Sequence, residues 1–186
     1  MLRRTFISGG LALLGGCDRV TQMRQGLEFS VNNTRLLMRG AVNRRTPRAF
    51  EDVLAQIPEV RTVVFQDMRG SHNAQAVQEM GGMIRTRGLD TALQSDGVIH
   101  GAAIGLFIAG VQRRMVEGAE IGLGHRAVGD DGAFEALGGA YVQQMLGSDA
   151  FYRFALQAGT ADGIHVMTED EIAQYGLLTA PVQRFE

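Results

Sequence analysis

The sequence predicts an α/β fold with helices packed on a mainly parallel sheet, and three observations carry it. A strand at residues 62–65, a polar turn and a helix over 73–87 are followed by a second strand at 89–94 and a second helix, the order of a right-handed parallel unit. The second helix lies in residues 97–110, GVIHGAAIGLFIAG, a stretch without a charged side chain that reads as a turn feeding a buried core helix. The chain has 186 residues, 45% of them hydrophobic and 20% charged, which suits one domain with a sizeable core.

The chain opens on an export signal rather than a fold element. Residues 1–16 have a basic start at Arg3 and Arg4, an apolar centre around residues 11–14 and a small-residue end before Cys17, the three parts of a secretory signal. Leu14-Gly15-Gly16-Cys17 resembles the bacterial lipoprotein box, which implies lipidation of Cys17, and Arg3-Arg4-Thr5-Phe6-Ile7 resembles a twin-arginine signal. Asp18 resembles the residue that favours retention in the inner membrane. The expected organisation is a signal peptide over 1–16, a lipidated tether over 17–26 and one domain over 27–186. The expected location is the periplasmic face of the inner membrane, held there by the lipid anchor.

Within the domain, 27–31 and 35–42 read as two strands about the Asn32-Asn33 turn. Thr46-Pro47 starts a helix whose face is Phe50, Val53, Leu54 and Ile57, and Pro58 ends it. The helix over 73–87 carries Val77, Met80 and Ile84 as its stripe and stops at Gly88. Residues 113–116 and 120–123 are short strand candidates, and 124–132 is a glycine and aspartate loop holding His125. Two helices come next, over 133–145 and 148–157, the second capped by Ser148, and Thr168 with Glu171 forms a capping box for a last short helix ending at Gly176. Phe134, Leu137, Tyr141 and Met145 recur at helical spacing, as core or as a face for a second copy.

Composition removes several classes of chemistry. All 18 basic residues are arginine, so no lysine base, Schiff base or serine-lysine dyad is available. One cysteine allows no intramolecular disulfide. A net charge of −2, without an arginine-dense helix, argues against a nucleic-acid surface. His72, His100, His125 and His165 show no short ligand spacing, so no metal site is read. No nucleotide-binding motif appears and no cofactor is expected.

In parallel sheets, ligands sit at the carboxyl ends of strands, where 67–72 and 95–101 would meet. Ser71 in the first of these reads as a turn residue. His100 in the second reads as a neutral core histidine bonded to a backbone carbonyl, ahead of a site role.

The phrases RTVVF with a following glycine turn, QAVQEMGGMIRTRGLDT, GAAIGLFIAG with VQRRMVEGAEIG behind it, and TEDEIAQYGLLT stand in a distinctive order. Through them residues 38–179 resemble the periplasmic, Clp-protease-like branch of the Clp/crotonase superfamily. The resemblance implies a spiral of ββα units, helices packed between subunits, and a serine peptidase site. Carried over residue by residue, that site is eroded. The serine position is Gly101, the next amide donor is Ala102, and the other donor turn reads Arg69-Gly70 where the family has a glycine pair. His125 stands one residue beyond the family spacing, and Asp162 is the nearby acid. The resemblance leaves two functions open. One is a non-catalytic, self-associating binding or scaffold protein with a protein or peptide ligand. The other is a hydrolase or acyl-chemistry enzyme that keeps the oxyanion-type amides of Gly70 and Ala102, with His100 or His125 as acid/base.

Overall fold

The structure is a computed structural model that describes residues 21–24, 26–71, 73–124, 132–159 and 163–184. The expected export signal, Cys17, His72, His125 and Asp162 lie outside the described residues. Strands β1 (Thr21–Arg24), β2 (Leu27–Asn32) and β3 (Arg35–Gly40) form an antiparallel meander. The turn between β2 and β3 places Asn33 at φ 53°, a left-handed angle that asparagine tolerates. Part of the stretch expected to be a tether is therefore an edge strand.

Helix α1 (Thr46–Gln56) buries Ala49, Phe50, Val53 and Leu54 against the sheet. Its cap differs from the expectation. Arg45 holds the cap position and Thr46 is already helical, its Oγ1 accepting from the Asn43 amide at 2.9 Å. Strand β4 (Thr62–Met68) runs parallel to β3, and α2 (Ala74–Thr86) comes next, capped by the Asn73 side chain on the Ala76 amide at 2.8 Å. Gly88, at φ 66°, makes the left-handed stop read from the sequence.

The largest departure concerns residues 97–110. Strand β5 (Asp90–His100) runs through Gly97 and gives way to a 3₁₀ turn (Gly101–Ala103) and a short helix α3 (Ile104–Ile108). The strand is long because it serves two partners. Its first half pairs in parallel with β6 (Arg113–Met115), its last residues with β7 (Glu120–Leu123). A bulge separates the halves, with Gln66 of β4 facing residues 94–97 of β5. Glycine is required at 97, because a Cβ there would lie 2.9 Å from the Phe65 carbonyl oxygen. The buried-helix expectation does hold for Ile104, Leu106, Phe107 and Ile108, all at most 1% exposed.

The chain closes with α4 (Ala133–Leu146), α5 (Ala150–Ala158), a two-residue strand β8 (His165–Val166) antiparallel to β7, and α6 (Glu169–Gln174). Asp149, not Ser148, takes the cap position of α5, although the Ser148 hydroxyl accepts from the Ala150 amide at 3.1 Å. The Thr168–Glu171 capping box forms as expected. The sheet order is β1-β2-β3-β4-β5-β7-β8, with β6 also on β5, parallel from β3 to β7. Phe134, Leu137, Tyr141 and Met145 are all buried within the chain's own core. No helix of the described residues is long and apolar enough to cross a membrane.

Candidate functional site

The carboxyl ends of β4, β5 and β7 meet at one edge of the helix layer. Met68 pairs with Ile99 and His100 with Gly122, so Gly70 and Gly101 each come just after the last paired residues of adjacent parallel strands. Both are buried, with Gly70 at φ 146° and Gly101 at φ 56°. These are angles that side chains seldom adopt. Gly101 is the corner at which an extended strand becomes the 3₁₀ turn, and Ala102, fully buried, is the next residue of that turn. A nucleophile elbow has this kind of strand-to-helix corner. Here the corner is kept without a side chain.

Arg69, which stands where the family resemblance places a glycine, does not fill the site. Its side chain is 59% exposed and its Nε donates to Asp67 Oδ1 at 2.7 Å. Ser71 is fully buried in a turn. Its Oγ accepts from the Asn73 amide at 3.2 Å and faces the Val42 carbonyl at 3.4 Å, as a turn serine does.

Beside Gly101 lies a cavity of about 10 Å³, walled by Leu123, Gly124, Phe134, Glu135, Ala155 and Gly159. That is room for about one water molecule. Among the described residues its lining holds no hydroxyl, thiol or amine side chain, and a carboxylate there belongs to Glu135, which the sequence pattern does not single out. A larger groove of about 270 Å³ lies across the β2–β3 hairpin, lined by Glu28, Ser30, Leu37, Arg39 and Gln66 among others. None of the described candidate site residues lines it.

His100 is bonded differently from the expectation. Its Nε2 lies 2.5 Å from Glu120 Oε1, a carboxylate rather than a backbone carbonyl, while the ring is only 3% exposed and Nδ1 is buried with no partner among the described residues. The ring lies over Gly122, where a Cβ would come within 2.7 Å of Nε2. Successive residues of a strand face opposite ways, and Ile99, Ile121 and Leu123 belong to the buried core. His100 therefore sits on the Gly122 side of β5 and β7, opposite Leu123, and it does not line the cavity. Glu120 was legible as a partner only through the parallel β5–β7 register, which sets the two residues diagonally on one face.

No family model and no curated protein matches the sequence. Solved structures do match in three dimensions. ClpP1 from Listeria monocytogenes superposes with a TM-score of 0.59 at 11% identity, over 83% of this chain and 93% of that one. An enoyl-CoA hydratase from Thermoplasma volcanium superposes with a TM-score of 0.57 at 13% identity, over 86% and 72%. The chain has the Clp/crotonase fold. At these identities the likeness extends to the fold and no further.

Within that fold, His165 is turned to another task. Its Nε2 lies 3.0 Å from the Glu171 carboxylate, which also closes the α6 capping box. The Thr168 amide first, and then His165, hold the Glu171 carboxyl below the ordinary carboxylate range. Among the described residues, no three His, Cys, Asp or Glu side chains converge as a metal centre requires.

Proposed function

We propose that this chain is a membrane-anchored, periplasmic binding or scaffold protein built on the Clp/crotonase fold, with a peptidase site that has lost its chemistry. The observation that carries this is Gly101, a buried glycine at φ 56° on the strand-to-helix corner where the resemblance places a serine. The cavity beside it supports the reading, since among the described residues its lining offers no hydroxyl or thiol to take the place of the serine. The test is a fluorophosphonate probe together with mixed peptide substrates. The full chain is expected to give neither labelling nor hydrolysis; stoichiometric labelling of a serine, abolished by His125→Ala, would overturn the proposal.

A hydrolase or acyl-chemistry enzyme with His100 or His125 as acid/base, and the Gly70 and Ala102 amides as donors, is the second reading. One observation favours it: an imidazole bonded to a carboxylate, as in His100–Glu120, is how general bases are oriented. That His100 does not line the Gly101 cavity weighs against it.

Anchoring through Cys17 belongs to the same proposal and draws on the coincidence of signal, lipobox and Asp18. Fatty-acid labelling of cells is expected to mark the wild-type chain and not Cys17→Ser; equal labelling of both would end the idea. Self-association is also proposed. Since the apolar stripe of α4 is buried inside the chain, the large exposed apolar side chains left for it among the described residues are Val111, Ile164 and Val166. Light scattering is expected to give a multiple of the chain mass, and a monomer at every concentration would count against it.

A further inference from the structure

Charge is divided unevenly along the chain. Residues 19–48 carry seven arginines against a single acid, Glu28, whereas residues 49–186 carry nine against eighteen. The small net charge of −2 therefore conceals a basic segment and an acidic remainder. A sign asymmetry of this kind points to a polyanionic partner for the basic part.

The fold gathers the basic segment at one margin of the sheet. Strand β1 is the terminal strand, with β2 and β3 next to it. Arg24 of β1 stands in the row of Leu27 and Gly40. The Ala41 amide donates to the Gly26 carbonyl at 2.8 Å, so the loop that carries Arg44 and Arg45 into α1 lies beside the β1–β2 turn. On β3, Arg35 and Arg39 lie opposite the buried Leu36 and Met38, on the outer face of the sheet. Arg35, Arg39, Arg44 and Arg48 are exposed, and none of the four has an ion-pair partner among the described residues. Glu28 stands across from Arg39 in the register. The first turn of α1 carries no acid; Glu51 and Asp52 follow further along it, and Asp52 already has a partner.

We propose that this margin, the β1–β3 meander with the start of α1, is a basic face that lies on the phosphate headgroups of an anionic bilayer. The proposal rests on the membrane location proposed above and adds the surface that meets the lipid. Cys17 stands four residues before Thr21, where β1 begins, and a chain spans at most about 3.5 Å per residue, so an anchored Cys17 keeps the edge strand within ~14 Å of the bilayer. A headgroup field decays over about 8 Å at physiological salt, so the side chains nearest this edge feel it most. Each arginine near the surface strengthens partition on the order of fivefold. The acid-rich remainder is repelled, which turns the domain the same way.

The chain has no lysine, so phenylglyoxal, which modifies guanidinium groups, reads its arginines one by one in mass spectrometry. For the full chain in nanodiscs of phosphatidylcholine with about 30% phosphatidylglycerol, modification of Arg39, Arg44 and Arg48 is expected to slow at least about fivefold relative to pure phosphatidylcholine discs, and to recover in about 1 M salt. Arg153 and Arg184, exposed elsewhere, should not change. Arg44→Gln with Arg48→Gln should remove the protection of Arg39, and Arg44→Lys with Arg48→Lys should keep it, which separates charge from folding. Equal rates in the two kinds of disc, or a chain that elutes apart from the anionic discs, would overturn the proposal. Protection given by duplex DNA, or by raised protein concentration, and not by anionic discs would assign the face to a nucleic acid or to a second copy instead. Fatty-acid labelling of Cys17 is read separately, so the anchor and the face fail independently.

Discussion

The full chain carrying Gly101→Ser is expected to stay inert toward fluorophosphonate, and to leave peptide hydrolysis at background. A serine at φ 56° is strained but tolerable, at a cost of about 1–2 kcal/mol, so the variant should fold. Among the described residues it still lacks a base. His100, the neighbouring imidazole, is bonded to Glu120 and does not line the cavity, and the described part of the lining holds no imidazole. Removing nucleophile or base from a serine site costs on the order of 10⁴–10⁶ in rate even where oxyanion donors remain. Restoring one member alone therefore recovers little. Labelling at the substituted position at a rate near that of an active serine hydrolase would show that a base is present after all.

Tyr141→Ala is expected to cost about 3–5 kcal/mol of stability, the usual range for truncating a buried aromatic side chain, read by urea unfolding of the full chain. Tyr141 joins three helices. Its Oη donates to the Gly105 carbonyl of α3 at 2.8 Å, and its ring occupies the space of a side chain at Gly105, where a Cβ would be 3.3 Å from Cε1. On α2 the approach is closer still, since a Cβ at Gly81 would run into Tyr141 Oη. Tyr141→Phe keeps the packing and loses the hydrogen bond, for about 1 kcal/mol. A loss below about 1 kcal/mol for the alanine variant would contradict this account.

The same residue gives an alkaline signature. Burial raises the Tyr141 pKa, with Arg85 opposing. An unfolded tyrosine ionises near pH 10, whereas the folded one holds its proton further up the scale. The stability it contributes is therefore complete below about pH 10 and is lost as pH rises through the folded pKa. Tyr141→Phe should show a shallower alkaline decline than the wild type.

The order of strands and helices was legible because each has a local cause: apolar β-branched runs at 62–65, the Asn73 cap, the Gly88 stop, the Thr168–Glu171 box. Features that depend on pairing between distant segments were not. Strand β5 was cut short at 94 because Gly97 looks like a turn, and only the close Phe65 carbonyl and the change of partner from β6 to β7 explain a glycine in mid-strand. The turn at 66–72 was likewise begun too early, since β4 continues to Met68. Of the candidate site, the strand ends and Gly101 could be read directly. Glu120 could not, because its meeting with His100 is a matter of register, and Glu135 could not, because α4 reaches the cavity only through its break at Gly138.

The bulge at Gln66 also explains how an arginine is accommodated in the turn after β4. On β4, Val63 and Phe65 point into the core, and an uninterrupted alternation would send residues 67 and 69 the same way. The inward residue after Phe65 is instead Met68, fully buried, while Gln66 lines the outer groove and Asp67 and Arg69 are about half exposed. One skipped beat in the pleat has turned an ion pair out of the helix layer, so Arg69 stands in this turn without placing a charge beside Gly101.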